Sequence, residues 1–289
     1  MAEKQLPFPG EYQSKVTILN KHGEKLVGIL HDTGSKKLVI LCHGFRSSKD
    51  EKMFVNLAAA LTSQGISVFR FDFAGNGESE GVFQYGHYRR EAEDLRVVVL
   101  YFLEHKYEIG AIIGHSKGGN AVLLYASQHH DVHIVINISG RFALDKGIEG
   151  RLGRNFMQRI KKDGFIDVKD RTGKVEYRVT EESLKDRLDT DMHSACLSID
   201  KGCRVLTVHG SEDEIVPPED ALEFAKLIPN HKLHIMECAN HSYTAHQEEL
   251  ASVVLDFMKS NQRGRVGDEW VTRSNRDTCR YIGRARGGV

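Results

Sequence analysis

Strand-like and helical segments alternate along most of this 289-residue chain, and no other feature limits its fold as much. Short apolar and β-branched runs predict six strands, at 38–42, 67–71, 110–113, 133–138, 204–208 and 232–237. Apolar residues at helical spacing predict helices at 52–64, 88–105, 120–129, 218–227 and 246–259. Strands separated by helices pair in parallel, so the expected fold class is α/β, a doubly wound, mostly parallel sheet with helices on both faces. Segments 14–19 and 26–31 predict an antiparallel hairpin ahead of this sheet.

The alternation is interrupted between residues 141 and 201. Within this stretch, 151–162 and 181–188 have helical patterns, and 165–168 and 175–179 read as two short strands around a turn. The pattern predicts an inserted cap with helices and a β-hairpin, between core parts at 1–140 and 202–260. Residues 261–289 hold seven Arg against three acidic residues, which predicts a basic, disordered tail. A solvated tail is favoured there over an RNA- or membrane-binding arm.

Composition excludes several classes of protein. Forty Lys and Arg balance forty Asp and Glu, so no nucleic-acid partner is expected. No apolar run reaches about 18 residues and the first ten residues lack a signal-like stretch, which predicts a cytoplasmic protein without a membrane anchor. Five cysteines without a Cys-x-x-Cys pair predict neither a disulfide framework nor a metal site. The oligomeric state stays open.

No cofactor is expected either. The segment Gly75-Asn76-Gly77 resembles the start of a dinucleotide loop, but position 80 is Glu80 where the third glycine would stand, and no helix follows at once. The chain also has no Gly-x-x-x-x-Gly-Lys-Ser/Thr motif for phosphate. A structural turn is the favoured interpretation of this segment.

The motif with the clearest chemistry is Gly114-His115-Ser116-Lys117-Gly118, between a predicted strand and a predicted helix. In that context Gly-x-Ser-x-Gly indicates a nucleophile elbow, a sharp turn that lifts the serine hydroxyl above the sheet. The glycines are needed because side chains there would strike neighbouring backbone. Ser116 is therefore the predicted nucleophile.

A serine nucleophile needs a base and an orienting acid, which in this fold follow it in the order acid, then histidine. Asp213 comes after strand 204–208 and is favoured as the acid over Glu212 and Glu214. His241 comes after strand 232–237 and is favoured as the base over His246. Both lie at carboxyl ends of parallel strands, where open α/β sheets place their sites. His115 and His209 are expected to have supporting or packing roles.

Attack by Ser116 would create an oxyanion, which backbone N–H groups must stabilise. The amide of Lys117 is one predicted donor, and the turn His43-Gly44-Phe45 after the first parallel strand supplies the other, most plausibly from Phe45. The Lys117 side chain is expected to be solvated.

Together these motifs resemble the α/β-hydrolase superfamily over residues 25–258. The resemblance rests on His43-Gly44-Phe45, Gly114 to Gly119, the Asp213 loop and Asn240-His241, with Asp72-x-x-Gly75-x-Gly77-x-Ser79 besides. It implies a Ser116, Asp213 and His241 triad. The front motif and the inserted cap are similar to cinnamoyl (feruloyl) esterase-like and serine aminopeptidase-like (S33-type) hydrolases. Lys117 stands where many relatives carry Gln or Met, which implies an altered substrate preference.

The sequence thus predicts a metal-free serine esterase that acts on a small-molecule ester through an acyl-enzyme. Four aromatic residues of the cap region are candidates for the substrate pocket: Phe142, Phe156, Phe165 and Tyr177. The alternatives are a thioesterase, monoacylglycerol lipase or peptidase with the same triad, or a small-molecule receptor with slow or no turnover. A third alternative is an interaction protein that works through its Arg-rich tail.

Overall fold

The computed structural model describes residues 12–262 and contains one eight-stranded sheet and one separate hairpin. The ten strands are β1 (Tyr12–Leu19), β2 (Lys25–Asp32), β3 (Lys37–Cys42), β4 (Ser67–Phe71), β5 (Glu108–His115), β6 (Ile134–Ile138), β7 (Phe165–Lys169), β8 (Val175–Thr180), β9 (Arg204–Gly210) and β10 (His231–Met236). The large sheet has the order β1-β2-β4-β3-β5-β6-β9-β10. From β4 to β10 every neighbouring pair is parallel, and β1 and β2 are antiparallel. The predicted doubly wound, mostly parallel sheet is confirmed.

The structure has nine helices within residues 12–262, some on the faces of the sheet and others in the inserted segment. They are α1 (Lys52–Thr62), α2 (Tyr88–Glu104), α3 (Lys117–Gln128), α4 (Glu149–Leu152), α5 (Phe156–Asp163), α6 (Glu181–Asp189), α7 (Met192–Ser198), α8 (Glu219–Leu227) and α9 (Gln247–Gln262). The α3 helix begins three residues earlier than its apolar spacing predicts, because the glycines of its first turn carry no periodic signal. Sequence patterns also missed α7, whose seven residues are too few to establish a period.

Alternate side chains of the central strands enter two different cores. In β3, Leu38 and Ile40 belong to the cluster that also contains residues of α2 and α3. Val39 and Leu41 belong to the cluster on the opposite face, with residues of α1 and α9. Strand residues alternate between the faces of a sheet, so burial on both sides requires the continuous apolar runs that the sequence contains.

The inserted segment 141–201 contains α4 to α7 and the β7–β8 hairpin. The helix predicted at 151–162 is two helices, because Gly153 adopts a φ of 82° and ends α4. Most of the insertion shares a third apolar cluster that includes Leu152, Tyr177 and Leu184, and Phe45 packs against it. In contrast, Cys196 of α7 lies in the main core on the side of α3.

No helix within residues 12–262 is long and apolar enough to cross a membrane. The predicted basic tail lies outside the described residues, except for positions 261 and 262, which are the last two of α9.

Candidate active site

The turn between β5 and α3 has the geometry of a nucleophile elbow. Ser116 adopts a φ of 54° and a ψ of −118°, a region that non-glycine residues rarely occupy and that functional sites often retain. A Cβ at Gly114 would lie 2.1 Å from the Gly118 carbonyl oxygen, and a Cβ at Gly118 would lie 2.2 Å from that of Cys42. The two glycines are therefore required by backbone packing, and the turn holds Ser116 at the edge of the sheet.

The structure brings Asp213 and His241 together from loops that follow β9 and β10. His241 Nδ1 lies 2.7 Å from Asp213 Oδ2, and both residues are buried. Because an ionised carboxylate only accepts, Nδ1 donates and Nε2 is left to take a proton. Neither Glu212 nor Glu214 holds this position: both are exposed, and Glu214 only accepts a hydrogen bond from the His241 backbone amide.

Further hydrogen bonds fix the Asp213 carboxylate. Its Oδ1 accepts from the amides of Ile215 and Val216 at 2.9 and 2.8 Å, and His209 Nε2 lies 3.2 Å from Oδ2. Burial acts to raise the pKa of Asp213, but the hydrogen bonds from His209 and His241 outweigh burial and hold that pKa well below its usual range. Asp213 is thus ionised at neutral pH.

His115 contacts His241 from the other side. Its Nε2 donates to the His241 carbonyl oxygen at 2.9 Å, and the two rings lie 4.8 Å apart between centroids. Burial, with the neighbouring His241 ring next in effect, lowers the pKa of His115 to about 4. His115 is therefore neutral at pH 7 and places no like charge beside His241.

Ser116 and His241 line one open cavity of about 300 Å³ at this edge of the sheet. The residues around it are Gly44, Phe45, Arg46, Ser47, Glu51, His115, Ser116, Arg151, Ile215, His241 and Ser242. Ser116 Oγ makes no hydrogen bond to any residue in the described part of the chain, so Ser116 and His241 are not hydrogen-bonded to each other in this structure. Such contacts are often long in unliganded sites and tighten with substrate.

The two predicted oxyanion donors come from different elements that meet beside Ser116. Lys117 is the first residue of α3, a position whose N–H has no acceptor within its own helix. Phe45 lines the cavity from the loop after β3. A Cβ at Gly44 would lie 3.1 Å from Ser116 Cβ, which shows how closely this loop approaches Ser116. The arrangement is compatible with both predicted donors.

The Asp72 segment anchors that loop. Asp72 is fully buried and accepts from the Lys49 amide at 2.6 Å and from Lys49 Nζ at 2.8 Å. A Cβ at Gly77 would lie 2.2 Å from Asp72 Oδ2, so the glycine lets the turn close over the carboxylate. The segment forms a structural turn, and α2 begins only at Tyr88.

The expectation of a solvated Lys117 side chain is wrong. Lys117 is buried, and its Nζ lies 2.7 Å from Glu91 Oε1 and 3.3 Å from the Gln84 carbonyl oxygen. Glu91 is buried too, and burial raises its pKa to about 7 although Lys117 opposes this shift. Sequence reasoning did not single out Glu91, because a lone acid on a helix has no local sign of its partner.

The four aromatic candidates for the substrate pocket lie elsewhere. Phe142 packs on Phe224 in the main core, with 5.3 Å between ring centroids. Phe156 packs against the cap cluster, and Phe165 is exposed under the Arg178 guanidinium. Tyr177 contacts the Phe45 ring at 5.6 Å. None of these four described residues lines the cavity, so their role in substrate binding stays a prediction that this geometry does not favour.

Residues 12–262 contain no group of three or more His, Cys, Asp or Glu side chains that could hold a metal ion. The cavity wall carries a strained Ser116 and a His241 oriented by a carboxylate, beside the two predicted backbone donors.

Comparison with known proteins agrees with this geometry. The family model for serine aminopeptidases of the S33 type, Hydrolase_4, matches residues 33–195. The chain belongs to this family. A relative in Saccharomyces cerevisiae, the protein YDL057W, is 26% identical in an alignment of 230 positions that covers 72% of this chain and 69% of the relative.

Solved structures of other α/β hydrolases have the same fold. Est1E from Butyrivibrio proteoclasticus, solved with ferulic acid bound, superposes with a TM-score of 0.75 at 25% identity over 86% of this chain and 100% of that one. GrgF from Penicillium sp. sh18 gives 0.74 at 20% identity, over 86% and 98% of the two chains. The Pyrococcus furiosus esterase Pf2001 gives 0.67 at 23%, over 86% and 93%. The predicted superfamily is confirmed, and this S33-family chain has a hydrolase fold.

Proposed function

We propose that this chain is a serine hydrolase of small carboxylic esters. The observation that carries the proposal is the 2.7 Å contact between His241 Nδ1 and Asp213 Oδ2, beside a strained Ser116 on the same cavity wall. A histidine oriented in this way has its Nε2 available as a general base. The esterase neighbours and the family match support the same class of reaction.

In the proposed reaction Ser116 Oγ attacks the ester carbonyl carbon while His241 Nε2 takes the hydroxyl proton. The Phe45 and Lys117 amides stabilise the negative charge that develops on the carbonyl oxygen. Collapse of the tetrahedral intermediate breaks the bond to the alcohol, which leaves with the proton from His241. Water then attacks the acyl-Ser116 ester by the same steps and releases the acid.

Asp213 and His115 act through His241 in this scheme. Asp213 holds the imidazole in the tautomer with a free Nε2 and stabilises the imidazolium that forms after proton transfer. His115 fixes the backbone of His241 through its 2.9 Å hydrogen bond to the carbonyl oxygen. The family description names an aminopeptidase, whereas no observation at this site favours a peptide over an ester.

The decisive test combines turnover and labelling. Wild-type protein should hydrolyse 4-nitrophenyl acetate and be labelled by a fluorophosphonate probe. Ser116→Ala should abolish labelling and lower kcat by at least about 10³-fold, the usual cost of removing a triad nucleophile. The matched control is Ser127→Ala in the same helix, where Oγ only donates to the Leu124 carbonyl. If Ser116→Ala keeps its label, or wild type neither labels nor turns over, the esterase proposal fails, and the second result favours a receptor.

A further inference from the structure

Two arginines line the cavity that contains Ser116. Arg46 follows Phe45 directly, and Arg151 belongs to the cap helix α4. Glu51 is the acidic residue among the lining residues of the described chain, and its Oε2 accepts from Ser47 Oγ at 2.6 Å. Leaving the histidines aside, the cavity wall therefore has one more positive charge than negative charges.

Arg46 is already compensated by the cap. Its Nη1 lies 2.9 Å from Glu176 Oε2, and its guanidinium carbon lies 4.9 Å from the Tyr177 ring centroid. Both partners belong to β8, so the Arg46 side chain joins the loop after β3 to the cap hairpin. The positive charge of Arg46 is thus balanced by Glu176 within the protein.

Arg151 is different. Its guanidinium carbon lies 4.7 Å from the Phe45 ring centroid, and its side chain makes no hydrogen bond or ion pair with another residue in the range 12–260. Two other arginines of the inserted segment donate to backbone carbonyls, Arg141 to Ile215 and Arg187 to Leu144. A guanidinium placed over a ring keeps its N–H groups directed outward, where they can bind an acceptor.

We propose that Arg151 binds an anionic group, such as a carboxylate, on the ester substrate, and so selects monoanionic esters over neutral ones. This inference rests on the proposed function and names its substrate class. A planar guanidinium binds a carboxylate through two parallel hydrogen bonds, which a neutral ester cannot accept equally well. The Phe45 ring contacts Arg151, and the Phe45 amide is one of the two proposed oxyanion donors, so Phe45 places the anion site close to the scissile carbonyl.

The experiment compares matched ester pairs, with the charge on either side of the scissile bond. In the first pair, 4-nitrophenyl hemiglutarate carries its charge on the acyl side, and its methyl ester is the neutral member. In the second pair, 4-acetoxybenzoate carries its charge on the leaving group, and its methyl ester is again the neutral member. Wild type should prefer the anionic member of one pair by about tenfold in kcat/KM, and the pair that responds identifies the side that faces Arg151. The preference should decrease with added salt.

Variants assign the preference to Arg151. Arg151→Gln should bring the ratio of anionic to neutral kcat/KM close to one, and Arg151→Lys should retain part of it because the charge remains. Arg154→Gln is the matched control, since Arg154 is an exposed arginine of the same segment that does not line the cavity. Its ratio should equal that of wild type. A ratio that is the same in wild type and Arg151→Gln would overturn the inference while the esterase function stands.

A binding measurement distinguishes failure of the anion site from failure of the proposed esterase function. Glutarate should bind wild type in a calorimetric titration and bind Arg151→Gln at least about tenfold more weakly. If no ester is hydrolysed and the fluorophosphonate does not label, the proposed function fails, and the titration alone decides on the anion site. Equal glutarate affinities in the two proteins would overturn that site as well.

Discussion

Lys117 Nζ lies 2.7 Å from Glu91 Oε1, and the side chains of both residues are buried. The amide of Lys117 is one of the two proposed oxyanion donors, and the side chain of the same residue joins the elbow to α2. Charges that leave water are costly unless they stay paired, which makes this pair sensitive to the loss of one partner.

Removal of Lys117 alone should therefore destabilise the protein. Lys117→Met leaves a buried carboxyl group without its cation and should lower the free energy of unfolding by about 3–5 kcal/mol. The double variant Lys117→Met/Glu91→Leu should recover most of this loss, because no charge then remains buried. Urea unfolding at pH 8 measures the free energy of unfolding of both variants. The control is Lys226→Met, which removes an exposed ion pair with Glu223 and should lower the free energy of unfolding by less than about 1 kcal/mol. A double variant no more stable than the single one would contradict this account.

Glu91 should also make stability depend on pH. Its folded pKa of about 7 lies above the ordinary 4.5, so between these values the folded state binds more protons than the unfolded state. The Glu91 contribution to the free energy of unfolding should fall by about 3 kcal/mol as pH rises through this window and stay level above it. Unfolding of wild type and Glu91→Gln at pH 5, 6, 7 and 8 gives this contribution as a difference, which cancels the opposite effect of His115. A difference that does not change with pH would exclude the raised pKa.

Asp213→Asn tests the orientation of the base. The NH₂ group that replaces one carboxylate oxygen can donate to His241 Nδ1 and so stabilise the tautomer whose proton is on Nε2. With the fold intact, kcat for an ester should therefore fall by about 10⁴-fold. The matched control is Glu212→Gln, an exposed acid in the same loop. Kinetics and circular dichroism of both variants check this, and a larger loss in Glu212→Gln would assign the acid differently.

The elbow should not accept a methyl group at Gly118. The Cβ of Gly118→Ala would lie 2.2 Å from the Cys42 carbonyl oxygen and 2.5 Å from that of His43, so backbone must move. The variant should lose about 1–3 kcal/mol or more of stability, together with activity, because Lys117 moves with the turn. Gly150→Ala in α4 meets nothing within 4 Å and should be neutral or gain up to about 1 kcal/mol. Thermal unfolding compares the two, and an equal effect would remove the steric explanation.

Local patterns were sufficient for the sheet and for the turn that holds Ser116. A strand that is buried on both faces is apolar along most of its length, and an elbow needs glycine where backbones touch, so both produce a pattern in consecutive residues. Topology then placed Asp213 and His241, since loops at carboxyl ends of neighbouring parallel strands lie at one edge. The structure joins these two side chains at 2.7 Å, as their placement in the sequence predicts.

The burial and contacts of single side chains outside these motifs are visible only in the tertiary structure. The sequence by itself determined the α/β class, the elbow at Ser116 and the placement of Asp213 and His241 at one sheet edge, because each depends on neighbouring residues or on strand order. Only the folded chain decided that Lys117 is buried against Glu91, that Phe142 packs on Phe224, and that Arg151 lies over Phe45. These contacts join residues 26 to 106 positions apart along the chain, and their energies depend on burial and distance in three dimensions, which no local pattern records.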